Sequence, residues 1–258
     1  MDKYDFAGQP VLEVDADGIH FTLLGTAHVS AKSLEAVKAA IDTGAYDTIA
    51  VELDANRHRQ LTQPDALHQL DIFQIIKQEK IGLVAANLSL AAYQRRLADQ
   101  LGIEPGAELK AACLEAQARN LRLELIDRDA GLTLKRTWAN LGFFKRAQLA
   151  AGLGGSLLSS DEIGEQEIEQ LKEGDMLESS FGEFAKQTPE LYQSIIHERD
   201  LYMAAKLRQL SAHADVRHVL VVVGAGHLAG LAKALRDLGR EEPAQQIVEL
   251  ELIPAKSS

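Results

Sequence analysis

Arg217–Val223 (RHVLVVV) constrains the fold of this chain more than any other stretch, because so dense a run of aliphatic and β-branched residues is its strongest strand signal. Other strands are read around it. Val11–Asp15 and Ile19–Leu24 flank the turn-rich Asp15-Ala16-Asp17-Gly18 and predict an opening β-hairpin. Asp47–Leu53 (DTIAVEL), Leu121–Ile126 (LRLELI) and Ile247–Leu252 complete the set. Helices are predicted between them, the first from about Ser30 to Asp42, with Ser30 as N-cap and Gly44 as stop. Another runs from Pro189 to about Leu210. Strands separated by helices make the chain α/β, with a mostly parallel central sheet flanked by helices.

The 258 residues fit a single domain, 1–258. Helical insertions at about 55–120 and 131–212 exceed what simple crossovers need, so they form a layer or cap over one end of the sheet. Breaks fall at Pro64, Gly82 and Pro105-Gly106, and a loose joint at Gly152–Ser156.

The polar residues point to a site at one sheet edge. His28 follows the first long strand, Glu52 and Asp54 end the second, Asp127-Arg128-Asp129 follow the third, and His227 follows the fourth. Groups just beyond the carboxyl ends of parallel strands converge where ligands bind in open α/β sheets. Gly-x-x-His occurs twice after a strand, at 25–28 and 224–227, and its glycines let the backbone turn sharply. Glu52 lies in an otherwise apolar run, where a carboxylate is costly unless paired or metal-bound. Its bland explanation is a salt bridge to Arg57 or Arg128. Two imidazoles and a carboxylate suit Zn, Mn or Co.

Charge and cysteine content narrow the chemistry. Lys and Arg total 27 against 38 Asp and Glu, a net charge of −11, which argues against nucleic-acid binding. The single cysteine, Cys113, permits neither an internal disulfide nor a multi-thiolate zinc site. No basic-then-apolar leader opens the sequence, and the uncharged stretches Ile81–Gln94 and Ala147–Ser160 are shorter than the ~20 apolar residues of a membrane helix, so a cytoplasmic protein with no transmembrane segment is expected. His197-Glu198 begins a zincin motif that fails at Leu201, and neither a Gly-x-Ser-x-Gly elbow nor a Walker A loop is present. Gly224–Gly230 is close to a dinucleotide fingerprint, with Glu249 or Glu251 near the ribose position, but only residues 231–258 follow it, too few for the rest of such a domain. By spacing alone, Glu108 is a favourable charge at a helix N-terminus, and Glu198-Arg199-Asp200 is a solvated helix face.

Six segments in order carry a resemblance. They are Leu24-Gly25-Thr26-Ala27-His28-Val29-Ser30; Val51-Glu52-Leu53-Asp54 with Arg57; Gly106-Ala107-Glu108-Leu109-Lys110-Ala111-Ala112; Ile126-Asp127-Arg128-Asp129 with Thr133-Leu134-Lys135-Arg136; Glu198-Arg199-Asp200; and Val223-Gly224-Ala225-Gly226-His227. Together they resemble the TraB family of pheromone-shutdown (PrgY) proteins, related to the TIKI proteases and to the erythromycin esterase-like and ChaN-like group. The resemblance implies a site built from His28, His227 and Glu52, and divalent-metal-dependent, peptidase-like activity. It also implies a role in inactivating a peptide signal. Family members often carry apolar C-terminal membrane segments, whereas residues 251–258 (ELIPAKSS) are not apolar, which counts against membrane attachment and action on an exported pheromone.

The resulting expectation is a metal-dependent hydrolase of a peptide or small amide. His28, Glu52 and His227 hold the metal, and Glu52 or Glu108 is the general base. Arg128 and Arg199 position substrate charge, and Arg57, Asp127, Asp129 and Arg136 complete the substrate contacts. A non-catalytic peptide- or metal-binding protein using the same pocket is the alternative, and homo-oligomerisation is left open.

Overall fold

The computed structural model describes residues 6, 8–26, 31–63, 106–140, 189–237 and 243–252. Five strands form one sheet: β1 (Val11–Ala16), β2 (Ile19–Thr26), β3 (Thr48–Val51), β4 (Arg122–Leu125) and β5 (His218–Gly224). Their spatial order is β1-β2-β5-β3-β4. β1 pairs antiparallel with β2 through the hairpin, and every other pairing is parallel.

The sequence of β5 explains its central place. Val219, Val221 and Val223 join one core with Phe21 and Leu23 of β2. Leu220 and Val222 join the other with Leu24, Ile49 and Val51. Alternate residues of a strand face opposite sides, so a run aliphatic at every position must be covered twice. The first core is closed by α6 (Glu198–Gln209) and α7 (Leu228–Asp237), which contribute Met203, Leu207 and Leu231. The second is closed by α1 (Ala31–Asp42) and α3 (Ala107–Ala118), which contribute Val37, Ile41, Leu109 and Ala112.

Smaller elements fill the rim. α2 (Ala55–Thr62) is N-capped by Asp54, whose Oδ1 accepts from the backbone N–H of Asn56 at 2.7 Å and of Arg57 at 2.9 Å. α4 (Ala130–Asn140) follows β4. α5 (Pro189–Tyr192) runs through a π-helical turn, Gln193–His197, directly into α6. No helix among the described residues is long and apolar enough to cross a membrane.

One predicted element has the wrong type. Ile247–Leu252 is not a strand but lies largely within α8 (Pro243–Glu251). Its alternation of apolar and acidic residues mimics period two, yet the buried residues are Gln246, Ile247 and Leu250, at helical spacing. Val248 and Leu252, which a strand would bury on one face with Leu250, are 56% and 61% exposed. The predicted breaks at Pro64, Gly82 and Pro105, the Gly152–Ser156 joint, the Ser30 cap and most of both helical insertions lie outside the described residues.

Candidate functional site

Register brings Glu52, Asp127 and the strand end that leads to His227 to one edge. Thr26 at the end of β2 stands opposite Gly224 at the end of β5, and Val51 at the end of β3 stands between Val222 and Leu125. The ladder continues beyond the strands. Glu52 donates its backbone N–H to Val222 O (3.1 Å), and Asp127 donates to Leu53 O (3.3 Å). Glu52 and Asp127 are thus fixed by the main chain side by side at the carboxyl ends, and both are buried.

His227 enters from β5 through the single turn Ala225–His227 and is also buried. Its Nε2 lies 3.4 Å from Glu52 Oε1. Glu52 Oε2 accepts the backbone N–H of Gly224 at 2.7 Å, so the strand that delivers the histidine also orients the glutamate. Across them lies Arg199 of α6. It makes a two-bond fork onto Asp127, Nε to Oδ1 at 2.9 Å and Nη2 to Oδ2 at 2.8 Å, while Nη2 also donates to Glu52 Oε1. Nη1 meets His227 Nε2 at 3.0 Å and Ile195 O of the π-helical turn at 3.3 Å. Burial works against the Arg199 charge, but Asp127 and Glu52 outweigh it and hold its pKa above the ordinary value.

The other ring nitrogen of His227, Nδ1, lies 2.6 Å from Oδ1 of Asp200, which is 2% exposed. Burial lifts the Asp200 carboxyl above its ordinary range, against the pull of His227. A guanidinium can only donate, so Nε2 accepts and the neutral ring carries its proton on Nδ1, toward Asp200. Gly230 makes room for that carboxylate: a Cβ there would fall 1.9 Å from Asp200 Oδ2. Gly25 likewise answers to space. None of the Gly-x-x-His glycines described, Gly25, Gly224 and Gly226, has positive φ. A Cβ on Gly25 would lie 2.4 Å from Leu228 Cδ1, so it locks the end of β2 against the residue after His227.

The remaining predicted residues are distributed around this centre. Arg57, on the exposed rim, brings Nη1 within 3.9 Å of Asp127 Oδ2. The Glu52 salt bridge is made to Arg199 rather than to Arg57 or Arg128. Arg128 is fully buried and gives its donors to Thr133 Oγ1, Glu198 Oε2, Leu250 O and Ser194 O. Arg136 forks onto both oxygens of Glu198, at 2.7 and 3.1 Å. These three residues tie α4, α6 and α8 together behind the site. Asp129 accepts Leu132 N–H at 2.8 Å in the first turn of α4 and binds Asn56 Nδ2 at 3.2 Å. Glu108 is buried in the first turn of α3. His28 lies outside the described residues. Cys113 is buried in the α3 core, which pushes its thiol up to about 11, far from a reactive thiolate.

Asp200 and Glu198 are buried against the sequence expectation, since a charged triplet in mid-helix reads as solvated. The available signal was phase: Asp200 shares a helix face with the fully buried Met203, Ala204 and Leu207.

The family model described as TraB/PrgY/gumN matches residues 10–242, which spans every element of the sheet and site. The chain belongs to the TraB/PrgY/gumN family. Among relatives of this TraB protein, an uncharacterized protein of Methanocaldococcus jannaschii is 33% identical over 237 residues, covering 91% of this chain and 57% of the relative. The TraB domain-containing protein of Homo sapiens is 29% identical over 242 residues, covering 85% of this chain and 64% of its own length. That of Mus musculus is 29% identical over 244 residues, with the same two coverages. The TraB chain described here thus spans less than two thirds of each of these relatives.

Proposed function

We propose that this TraB domain is a divalent-metal-dependent hydrolase of a peptide or other amide, with His227, Glu52 and His28 as metal ligands. The observation that carries the reading is the posture of His227. Histidines that ligate metals almost always direct the other ring N–H to a carboxylate or carbonyl, which fixes the tautomer and leaves a lone pair on the ligating nitrogen. Asp200 plays that part on Nδ1, and Nε2 is turned toward Glu52. Among the described residues no three potential ligands already stand together, so the set depends on His28. Imidazole and carboxylate donors fit Mn, Co or Zn, and such a cation supplies Lewis-acid polarisation of a carbonyl and hydroxide near neutral pH.

The protein's own groups then have defined tasks. The Gly224 N–H holds Glu52 in orientation, and Asp200 holds His227. Glu108 is the candidate general base, with Glu52 taking that role where it binds the metal's water in place of the ion. Arg128 spends its donors on Glu198, Thr133 and main-chain carbonyls away from the site. Arg199 contacts Glu52, Asp127 and His227, and Arg57 stands at the rim beside Asp127, so these two are the groups assigned to substrate charge. The test is metal analysis of the purified protein together with cleavage of a peptide library in the presence of Mn, Co or Zn and of a chelator. Metal-dependent product that disappears in His28→Ala and His227→Ala, with both variants folded, is the expected result. Cleavage that survives both substitutions rejects the proposal; binding of metal and peptide without product replaces the enzyme by a binding protein.

A further inference from the structure

We infer that Arg199 is a built-in counter-cation of the site, which occupies the place of a divalent ion and must be displaced for that ion to bind. The inference rests on the metal-site reading above and deepens it. One guanidinium touches both the carboxylate oxygen and the imidazole nitrogen that form the proposed ligand pair: Nη2 donates to Glu52 Oε1 and Nη1 to His227 Nε2 at 3.0 Å. Those two acceptors are 3.4 Å apart, the spacing of adjacent donors converging on one cation. The lone pairs that Arg199 engages are the ones a metal would take, and a guanidinium and a dication repel each other at such range.

The arrangement also gives both buried carboxylates of the site a counter-charge within the protein itself. Glu52 and Asp127 are buried carboxylates in contact with one guanidinium, and stripping a buried charge of its partner is strongly destabilising. Displacement need not expel the arginine. Its fork onto Asp127 uses a different carboxylate from the one the metal would take, so Asp127 can retain the guanidinium while Glu52 and His227 are released. An arginine parked beside the reacting centre is then free to meet substrate charge. Asp127 is thereby a positioning residue for Arg199.

The test is isothermal titration of Mn(II), Co(II) and Zn(II) into the full chain and into Arg199→Gln, Arg199→Lys and His227→Ala, each with a thermal melt before and after metal. Arg199→Gln is expected to lower the melting temperature of the metal-free protein, to bind metal about tenfold more tightly or better, and to gain a larger melting shift on binding. Arg199→Lys, which keeps the charge but not the planar fork, is expected to fall between Arg199→Gln and the parent, and it decides the matter if Arg199→Gln does not fold. Metal binding that needs His227 but is unchanged or weaker in both arginine variants overturns the counter-cation and leaves the metal site standing. Absence of His227-dependent binding in the parent and in the arginine variants overturns both.

Discussion

Asp200 Oδ1 lies 2.6 Å from Nδ1 of His227, while the preceding residue of the same helix, Arg199, meets Nε2 of the same ring. Two consecutive side chains of α6 therefore hold both nitrogens of one imidazole, an acceptor on one and a donor on the other. The tautomer of His227 is imposed by the helix and not by the strand that carries it. Both grips come from a segment that follows a π-helical turn, and the carbonyls of Ser194 and Ile195 in that turn receive Arg128 and Arg199. Such turns are frequent where a helix must aim side chains at a site.

Replacing Asp200 with alanine removes the acceptor on Nδ1 and frees the ring to change tautomer. A loss of about 10- to 100-fold in metal affinity or turnover is expected, the usual cost of deleting the outer partner of a ligating histidine. Metal titration measures the loss, and nitrogen chemical shifts of the His227 ring follow the tautomer. Unchanged shifts and affinity in Asp200→Ala would show that Asp200 does not set the ring.

Gly230→Ala reaches the same contact from the other side. The added methyl would lie 1.9 Å from Asp200 Oδ2, an overlap that neither α7 nor the buried carboxylate can absorb without moving. Destabilisation of about 1–3 kcal/mol is expected, as for an overpacked core, with a loss of metal affinity in the same direction as Asp200→Ala. In an Asp200→Ala background the clash disappears, so the two costs should fail to add by about 1 kcal/mol or more. Urea denaturation of the four proteins decides this, and simple additivity would break the link between Gly230 and Asp200.

Arg57 separates binding from structure. Its ion pair with Asp127 is long, at 3.9 Å, and its side chain is 42% exposed, so Arg57→Ala should leave stability within about 0.5 kcal/mol of the parent. If its place on the rim serves anionic groups of the substrate, KM rises for peptides that carry one while kcat holds. An equal effect on neutral and anionic peptides would remove that role.

How much of this could be read in the residues depended on range and period. β5 was legible because Val219–Val223 is aliphatic on both faces, and the hairpin because its turn residues are local. The edge that gathers Glu52, Asp127 and His227 was legible too, since parallel strands put their carboxyl ends together. The pairings were not. Glu52 finds Arg199 147 residues away, and Arg128 finds Glu198 70 residues away, where nearer partners looked adequate. α8 reads as a strand because so short a segment can satisfy period two by accident, and only burial of Ile247 with Leu250 shows the true phase. Glu198-Arg199-Asp200 misleads for the complementary reason: three consecutive charges suggest exposure, although the phase of α6 buries Asp200.

Glu198 offers a measurement that owes nothing to metal. Burial pushes its carboxyl up, but hydrogen bonds from Arg136 and Arg128 prevail and hold it below the ordinary glutamate value. A carboxyl depressed on folding contributes stability that is fully present above its unfolded pKa, about 4.3, and lost as pH falls through the folded value. Glu198→Gln leaves two buried guanidinium groups without their counter-charge. At pH 7 a cost of about 3–5 kcal/mol is expected, the range for breaking one side of a buried pair. The α8 anchors, Arg128 to Leu250 O at 3.1 Å and Arg136 to Glu249 O at 3.4 Å, should loosen with it. The sign of the pH dependence is the sharper check. As pH falls below the unfolded glutamate value and on through the depressed folded one, the parent protonates Glu198 and loses the same pairs, so the gap between parent and variant must narrow. Urea midpoints at pH 7 and near pH 3 read that gap, and a difference that stays constant would mean Glu198 keeps its charge at both or stabilises the helices by packing alone.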